Sequence, residues 1–143
     1  MEPQSFANHT RWQRPFHFFA APVMAINFLW CVVAFFRAPG LESAWLIVVS
    51  AALLVLTFLV RINSLKVQDR VIRLEENLRY QRLLSPATLQ KTGSLTEAQI
   101  VALRFAGDDE LEELVNATLA GKFTRNKDIK RDIRNWRADN FRV

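Results

Sequence analysis

The sequence is poor in the residues from which small catalytic and metal centres are built: it has one cysteine, two histidines and four glycines. A lone thiol, Cys31, excludes an internal disulfide and gives no sign of an oxidising compartment. No Cys or His pair has metal-ligand spacing, so no structural zinc set is expected. With so little glycine there is no loop of the kind that cradles phosphate. Neither histidine stands beside a plausible nucleophile. The paired acids Asp108 with Asp109 and Glu112 with Glu113 read as helix starts and solvated faces. No catalysis, no cofactor and no metal site is therefore expected.

Charge is missing too, but only in places. Half of the residues are hydrophobic and 23% are charged, and the two kinds are segregated, with the apolar residues gathered before Val60. From Phe16 to Phe36 the run FHFFAAPVMAINFLWCVVAFF holds no acid, lysine or arginine. About 21 residues of helix span roughly 31 Å, the thickness of a bilayer's hydrocarbon core. The run is too long for the apolar centre of a secretory signal and is expected to stay in the mature protein. A second run, AWLIVVSAALLVLTFLV, covers Ala44 to Val60, with Trp45 suited to one interface and Arg61 able to snorkel at the other. A short polar link forces the two spans into an antiparallel hairpin. Arg37 and Glu42 cancel in the link, whereas Arg11, Arg14, Arg61, Lys66, Arg70 and Arg73 lie on the other side. The excess of positive charge puts both termini in the cytoplasm.

The expected architecture is all-α, with a long second helix continuing from the transmembrane hairpin into a small cytoplasmic helical domain. Its parts are a cytoplasmic N-terminal segment, 1–15; transmembrane helices, 16–36 and 44–60; and an external turn, 37–43. A cytoplasmic helical stalk, 61–84, leads to a cytoplasmic helical domain, 85–143, with a basic C-terminal helix. Inside the hairpin, Ala21 and Ala25 fall near the depth of Ser50, Ala51 and Ala52, so small residues can let the two backbones approach. Asn27 is the one strongly polar side chain deep in either span, and Ser50 is its expected hydrogen-bond partner. The rival reading has Asn27 line a polar path. His17 is expected at the watery edge of the membrane.

Val67, Val71, Leu74 and Leu78 recur at spacings of four and three, the seam of a heptad. Asp69 with Arg73 and Glu75 with Arg79 have the favourable order for pairs four apart. The favoured partner for the seam is the chain's own later helices, with self-association as a coiled coil the alternative. Ser85-Pro86 marks a new helix start. In SLTEAQIVALRFAG, Thr96 and Gln99 form a capping box, and Leu95 and Ile100 a hydrophobic staple. Gly93, Gly107 and Gly121 fit positions just past helix ends, and Asp108 fits an N-cap.

From Ser85 to Gly121 two basic residues face six acids, and from Lys122 onward eight basic residues face three. The closing stretch IKRDIRNWRADNFRV is read as a helix capped by Thr124, with Ile129, Ile133 and Trp136 on one face and Phe141 extending it. Its expected place is against the acidic helix of its own or a neighbouring chain; the alternative is a bed of anionic headgroups. Arg137 and Asp139 are read as a cap or ion-pair lock, and the rival is a site for a phosphate-bearing ligand around Trp136, Arg137 and Asp139.

The stretches NHTRWQRPFHFFAAPV, VQDRVIRLEENLR, LTEAQIVALRFAGDDEL and above all the closing Asn-Trp-Arg-Ala-Asp box resemble an uncharacterised family of small bacterial two-span membrane proteins, classed as a domain of unknown function. The resemblance implies a bacterial inner-membrane setting and carries over no catalytic residues. The expected function is a membrane-anchored scaffold or accessory subunit that self-associates. Alternatives are a small oligomeric channel or transport component touched by Asn27 and His17, and a sensor of anionic lipid. Expected partners are membrane lipids and a second copy or another membrane protein, with no nucleic acid. The interaction and packing candidates are Asn27, Ser50, Val67, Val71, Leu74, Leu78, Trp136, Arg137 and Asp139.

Overall fold

A computed structural model describes residues 4–6 and 12–139. Within them the chain is helical, with α1 (Ala21–Arg37), α2 (Leu41–Leu83), α3 (Pro86–Leu89), α4 (Glu97–Leu103), α5 (Leu111–Leu119) and α6 (Asn126–Asp132). Two compact units divide at Lys66 and Val67, so α2 contributes its first part to one and its second to the other.

The first unit is a helical hairpin. Proline at position 22 has no N–H and crowds the carbonyl four residues before it. The chain answers with a wider turn: Phe16–Ala20 is a π-helical segment, and the N–H of Ala21 reaches back to Phe16 O. Helix α1 then runs to Arg37, and α2 begins at Leu41, so the link is shorter than the expected 37–43. The Ser43 hydroxyl lies 2.9 Å from Ala38 O and 3.0 Å from Gly40 O, which satisfies carbonyls left open at the bend. Both helices are long and apolar enough to cross a membrane, as Phe16–Arg37 and Leu41–Leu83.

The second unit packs short helices on the later part of α2. Ser85 takes the N-cap of α3 with Pro86 at its first position. Thr96 and Gln99 form the capping box of α4, and Leu95 and Ile100 both enter the core. That core gathers Tyr80 from α2 and Leu84 just past its end, Leu103, Phe105 and Ala106 at the end of α4, Leu111, Leu114 and Val115 from α5, and Ile129 and Ile133 from the closing segment. Short helices are marginal alone and hold because one face of each is buried here.

Several expectations are corrected. The seam of Val67, Val71, Leu74 and Leu78 does not meet the later helices; α2 docks through Ile72, Glu76, Arg79 and Tyr80 instead, and the seam is exposed. Burial here is decided by a large aromatic and a satisfied charge cluster, which a hydrophobic pattern scores as polar. Helix α5 begins at Leu111, not behind an Asp108 cap, because Asp108 is turned to Arg79. The last helix starts from Arg125, whose backbone N–H the Asp128 carboxylate accepts, and not from Thr124. It stops at Asp132, so Trp136 is off the helix. Phe141 lies outside the described residues. Of the three glycines only Gly121 has the positive φ, 76°, of a left-handed helix end; Gly107 instead sits where an added Cβ would come 3.0 Å from Asn135 O.

This difference is measurable. Gly121→Ala forces an L-residue into the left-handed region and is expected to cost the helical body about 1 kcal/mol. Gly93→Ala, with nothing within 4 Å of the new methyl, is expected to be neutral or mildly stabilising. Thermal unfolding of the full chain in nanodiscs, followed by circular dichroism, compares the two.

Candidate functional site

A cluster of charges occupies the docked face of α2. Glu76 and Arg79 are one turn apart and nearly inaccessible, at 3% and 4% exposure. Arg79 donates through Nη1 to Glu76 (3.1 Å), through Nε to Asp108 (2.8 Å) and through Nη2 to the backbone carbonyl of Ala106 (2.7 Å). The other oxygen of Glu76 accepts from Arg137 Nη1 at 2.8 Å. Two acids and two arginines balance, and the planar guanidinium ties α2 to the turn between α4 and α5. The expected Glu75–Arg79 pair is displaced by these contacts.

The Asn-Trp-Arg-Ala-Asp box lies outside the helices and is held by a single backbone bridge. Ala106 and Trp136 form an isolated antiparallel bridge, and Arg137 N–H donates to Phe105 O at 2.8 Å. The Trp136 ring packs at 5.1 Å from the Phe105 ring. Phe105 also carries the Arg104 guanidinium at 4.4 Å over its face. Arg104 pairs with Asp139 at 3.0 Å, and Asp139 N–H donates to Gln4 Oε1 at 2.9 Å. Arg137 and Asp139 thus act as ion-pair locks, directed at different partners, and neither caps a helix. Their commitment to Glu76 and Arg104 gives a phosphate-bearing ligand little to bind.

In the hairpin unit, Asn27 Nδ2 donates to Ser50 Oγ at 2.7 Å, and Ser50 is 2% exposed. His17 Nδ1 donates to Gln13 O at 3.0 Å, and Arg61 reaches Gln13 Oε1 at 2.9 Å while lying near the Phe16 ring. Val67, Val71, Leu74 and Leu78 form no site with Trp136, Arg137 and Asp139: they lie on the other side of α2.

Residues that a pattern reading passes over turn out to organise the body. Glu110 is buried, and its carboxylate accepts the backbone N–H groups of Arg134 (3.1 Å) and Asn135 (2.9 Å), which ends α6 and starts the box. Glu112 accepts from Ser85 N–H (3.2 Å) and Thr88 Oγ1 (2.8 Å), and hydrogen bonds from Ser85 and then Thr88 hold its carboxyl below the usual glutamate range. The Tyr80 side chain is fully buried and its hydroxyl has no hydrogen-bond partner among the described residues; burial, and then the charge of Glu76, push its phenol up. Asp108 and Glu110 could have been suspected from the acid run, but nothing local in the sequence says which backbone or guanidinium they meet. Among the described residues no three His, Cys, Asp or Glu side chains converge on a point that could hold a metal ion.

Three mutational outcomes follow from these environments. Removing the buried cation with Arg79→Met leaves two acids with Arg137 alone and is expected to cost about 3 kcal/mol, near the lower bound for a broken buried pair because Arg137 still faces Glu76 and Asp108 is largely in water. Tyr80→Phe removes a hydroxyl without a partner and is expected to raise stability by about 1 kcal/mol. Denaturation midpoints of the two variants check both signs. The lowered Glu112 pKa stabilises the fold above the ordinary glutamate range, and this contribution is lost as pH falls through the folded value. Glu112→Gln is expected to flatten that acidic limb of the stability profile.

No curated protein and no solved structure matches the chain. A family of unknown function, DUF6526, matches residues 1–143. With the match covering the whole chain, this all-helical protein with two membrane-length apolar helices belongs to the DUF6526 family.

Proposed function

We propose that the protein is a self-associating, membrane-anchored helical scaffold or accessory subunit. Its hairpin crosses the bacterial plasma membrane and holds the helical body at the cytoplasmic face. The observation that carries this reading is the opposite orientation of apolar side chains in the two units. Phe18, Leu29, Trp30, Phe36 and Trp45 are each more than 60% exposed, whereas Tyr80, Leu103, Phe105 and Leu111 are fully buried. Keeping a large apolar side chain in water forgoes about 1.5–3 kcal/mol that burial would return, and a lipid environment removes that cost for every one of them. Further support comes from the segment before α1: Gln4 accepts from Asp139, and Phe6 lies 5.3 Å beneath Arg131. An even number of crossings allows such contacts, and a single crossing does not. The excess of arginine and lysine at this end argues for the cytoplasm.

A channel or transport component has less support, because Asn27 directs one of its N–H donors to Ser50 inside the hairpin and His17 directs its Nδ1 to a backbone carbonyl. A lipid-sensing tail has less still, since Ile129 and Ile133, its apolar face, belong to the core.

Topology is tested by single cysteines in a Cys31→Ser background. Glu42→Cys is expected to react with a membrane-impermeant maleimide in intact cells, and Gln90→Cys only after permeabilisation; labelling of Gln90→Cys in intact cells would sink the reading. Asn27→Leu is expected to cost the hairpin about 1 kcal/mol or less and to leave membrane retention and assembly intact. A changed ion flux in that variant would favour conduction instead.

A further inference from the structure

Lipid accounts for the exposed apolar side chains up to Ile62, next to Arg61; of the five exposed beyond it among the described residues, Leu83 ends α2 and four share one helix face. Val67, Val71, Leu74 and Leu78 are 61, 48, 62 and 53% exposed. At 1.5 Å per residue they lie roughly 9 to 26 Å past Arg61 along α2, interspersed with Arg70 and Arg73, where acyl chains do not reach. Nor does the helical body cover them. The face it buries, Ile72, Glu76, Arg79 and Tyr80, is turned roughly 150° from the seam at 3.6 residues per turn.

We infer that this seam pairs with the same seam of a second copy, as a short parallel two-stranded coiled coil. The inference rests on the membrane-anchored reading in one respect: copies inserted in one membrane share an orientation, so identical helices meet parallel. The register then assigns Val67 and Leu74 to d positions and Val71 and Leu78 to a positions. The central pair, Val71 at a with Leu74 at d, has the order that favours two strands, whereas Val67 at d and Leu78 at a add apolar contact without that preference. The flanking charges choose the same arrangement. Arg70 falls at g and Glu75 at the following e, so in a parallel pair each Arg70 faces the partner's Glu75, twice by symmetry. An antiparallel pair would set arginine against arginine and glutamate against glutamate. Among the described residues the ion pairs are made by other side chains, which leaves Arg70 and Glu75 for the partner. Two heptads are few for a free coiled coil, but tethering to a common membrane makes the encounter effectively intramolecular and lowers the length required. The body sits on the opposite face of this stretch and does not obstruct the pairing.

The test uses the full chain in native membranes, in a Cys31→Ser background, with copper-phenanthroline as oxidant. Val71→Cys, Leu74→Cys and Leu78→Cys are expected to give a disulfide-linked dimer. Arg73→Cys, at the outward c position, is expected to give roughly tenfold less, because Cα atoms more than about 7 Å apart are not bridged. Arg70→Glu is expected to weaken the dimer roughly tenfold, and adding Glu75→Arg to restore it. The nanodisc-embedded complex is expected to have the mass of two chains. No cross-link at the three seam positions, equal cross-linking at Arg73, no rescue by the double reversal, or the mass of one chain, of a larger ring or of one chain with a different polypeptide would each overturn the pairing. Alkali extraction of the same membranes reads the anchor separately. A chain retained in the membrane but not cross-linked overturns the pairing alone, and a chain released by alkali overturns the anchoring.

Discussion

The helical body depends on where the Arg79 guanidinium is held. Taking a cation out of water costs several kcal/mol, and the cost is recovered only if its donors all find acceptors in good geometry. Arg79 finds Glu76 on its own helix, the Ala106 carbonyl at the end of the α4 turn, and Asp108 one step further on. That fork fixes the turn after α4, and the same turn presents Phe105 and Ala106 to the closing segment. Glu76 in turn takes Arg137 from that segment, so one buried pair on α2 sets both the start and the end of the body. A lysine would supply a point charge with no planar fork and could not serve the three acceptors in this way.

The acidic run from Asp108 to Glu113 does several separate jobs, and attraction between opposite charge blocks is a small part of them. The direct ion pair between Glu113 and Arg134 is largely in water, where such pairs contribute about 0.2–1 kcal/mol. Glu110 does more, because its buried carboxylate accepts two backbone N–H groups that would otherwise be orphaned as α6 ends. Asp109 receives the Asn135 side chain at 2.5 Å, and Glu112 gathers the start of α3. The closing segment is clasped mainly by backbone pairing, capping and the burial of Ile129 and Ile133.

Helix α2 has three kinds of surface along its length. Before Arg61 its apolar residues point outward and Ser50 is covered by the packing of α1. After Val67 one face is buried under the body and another, of plain valine and leucine, is left open. Each surface suits a different surrounding, which is why no single period describes the whole helix.

The two membrane-length helices, the hairpin and the caps at Ser85 and Thr96 were legible in the residues, because length, charge-free runs and capping chemistry are local properties. So was the Asn27 and Ser50 contact, since a tight link between antiparallel helices of known rise leaves few pairings at one depth. What only the tertiary structure decided was the side of α2 that faces the body, the fate of Trp136 and the role of each acid. Those outcomes depend on which guanidinium, carbonyl and aromatic ring meet across long separations in the chain. Ile133 and Trp136 share a helical spacing on paper, yet the Glu110 carboxylate and the edge of Ala106 offer the backbone between them better partners than another helical turn would.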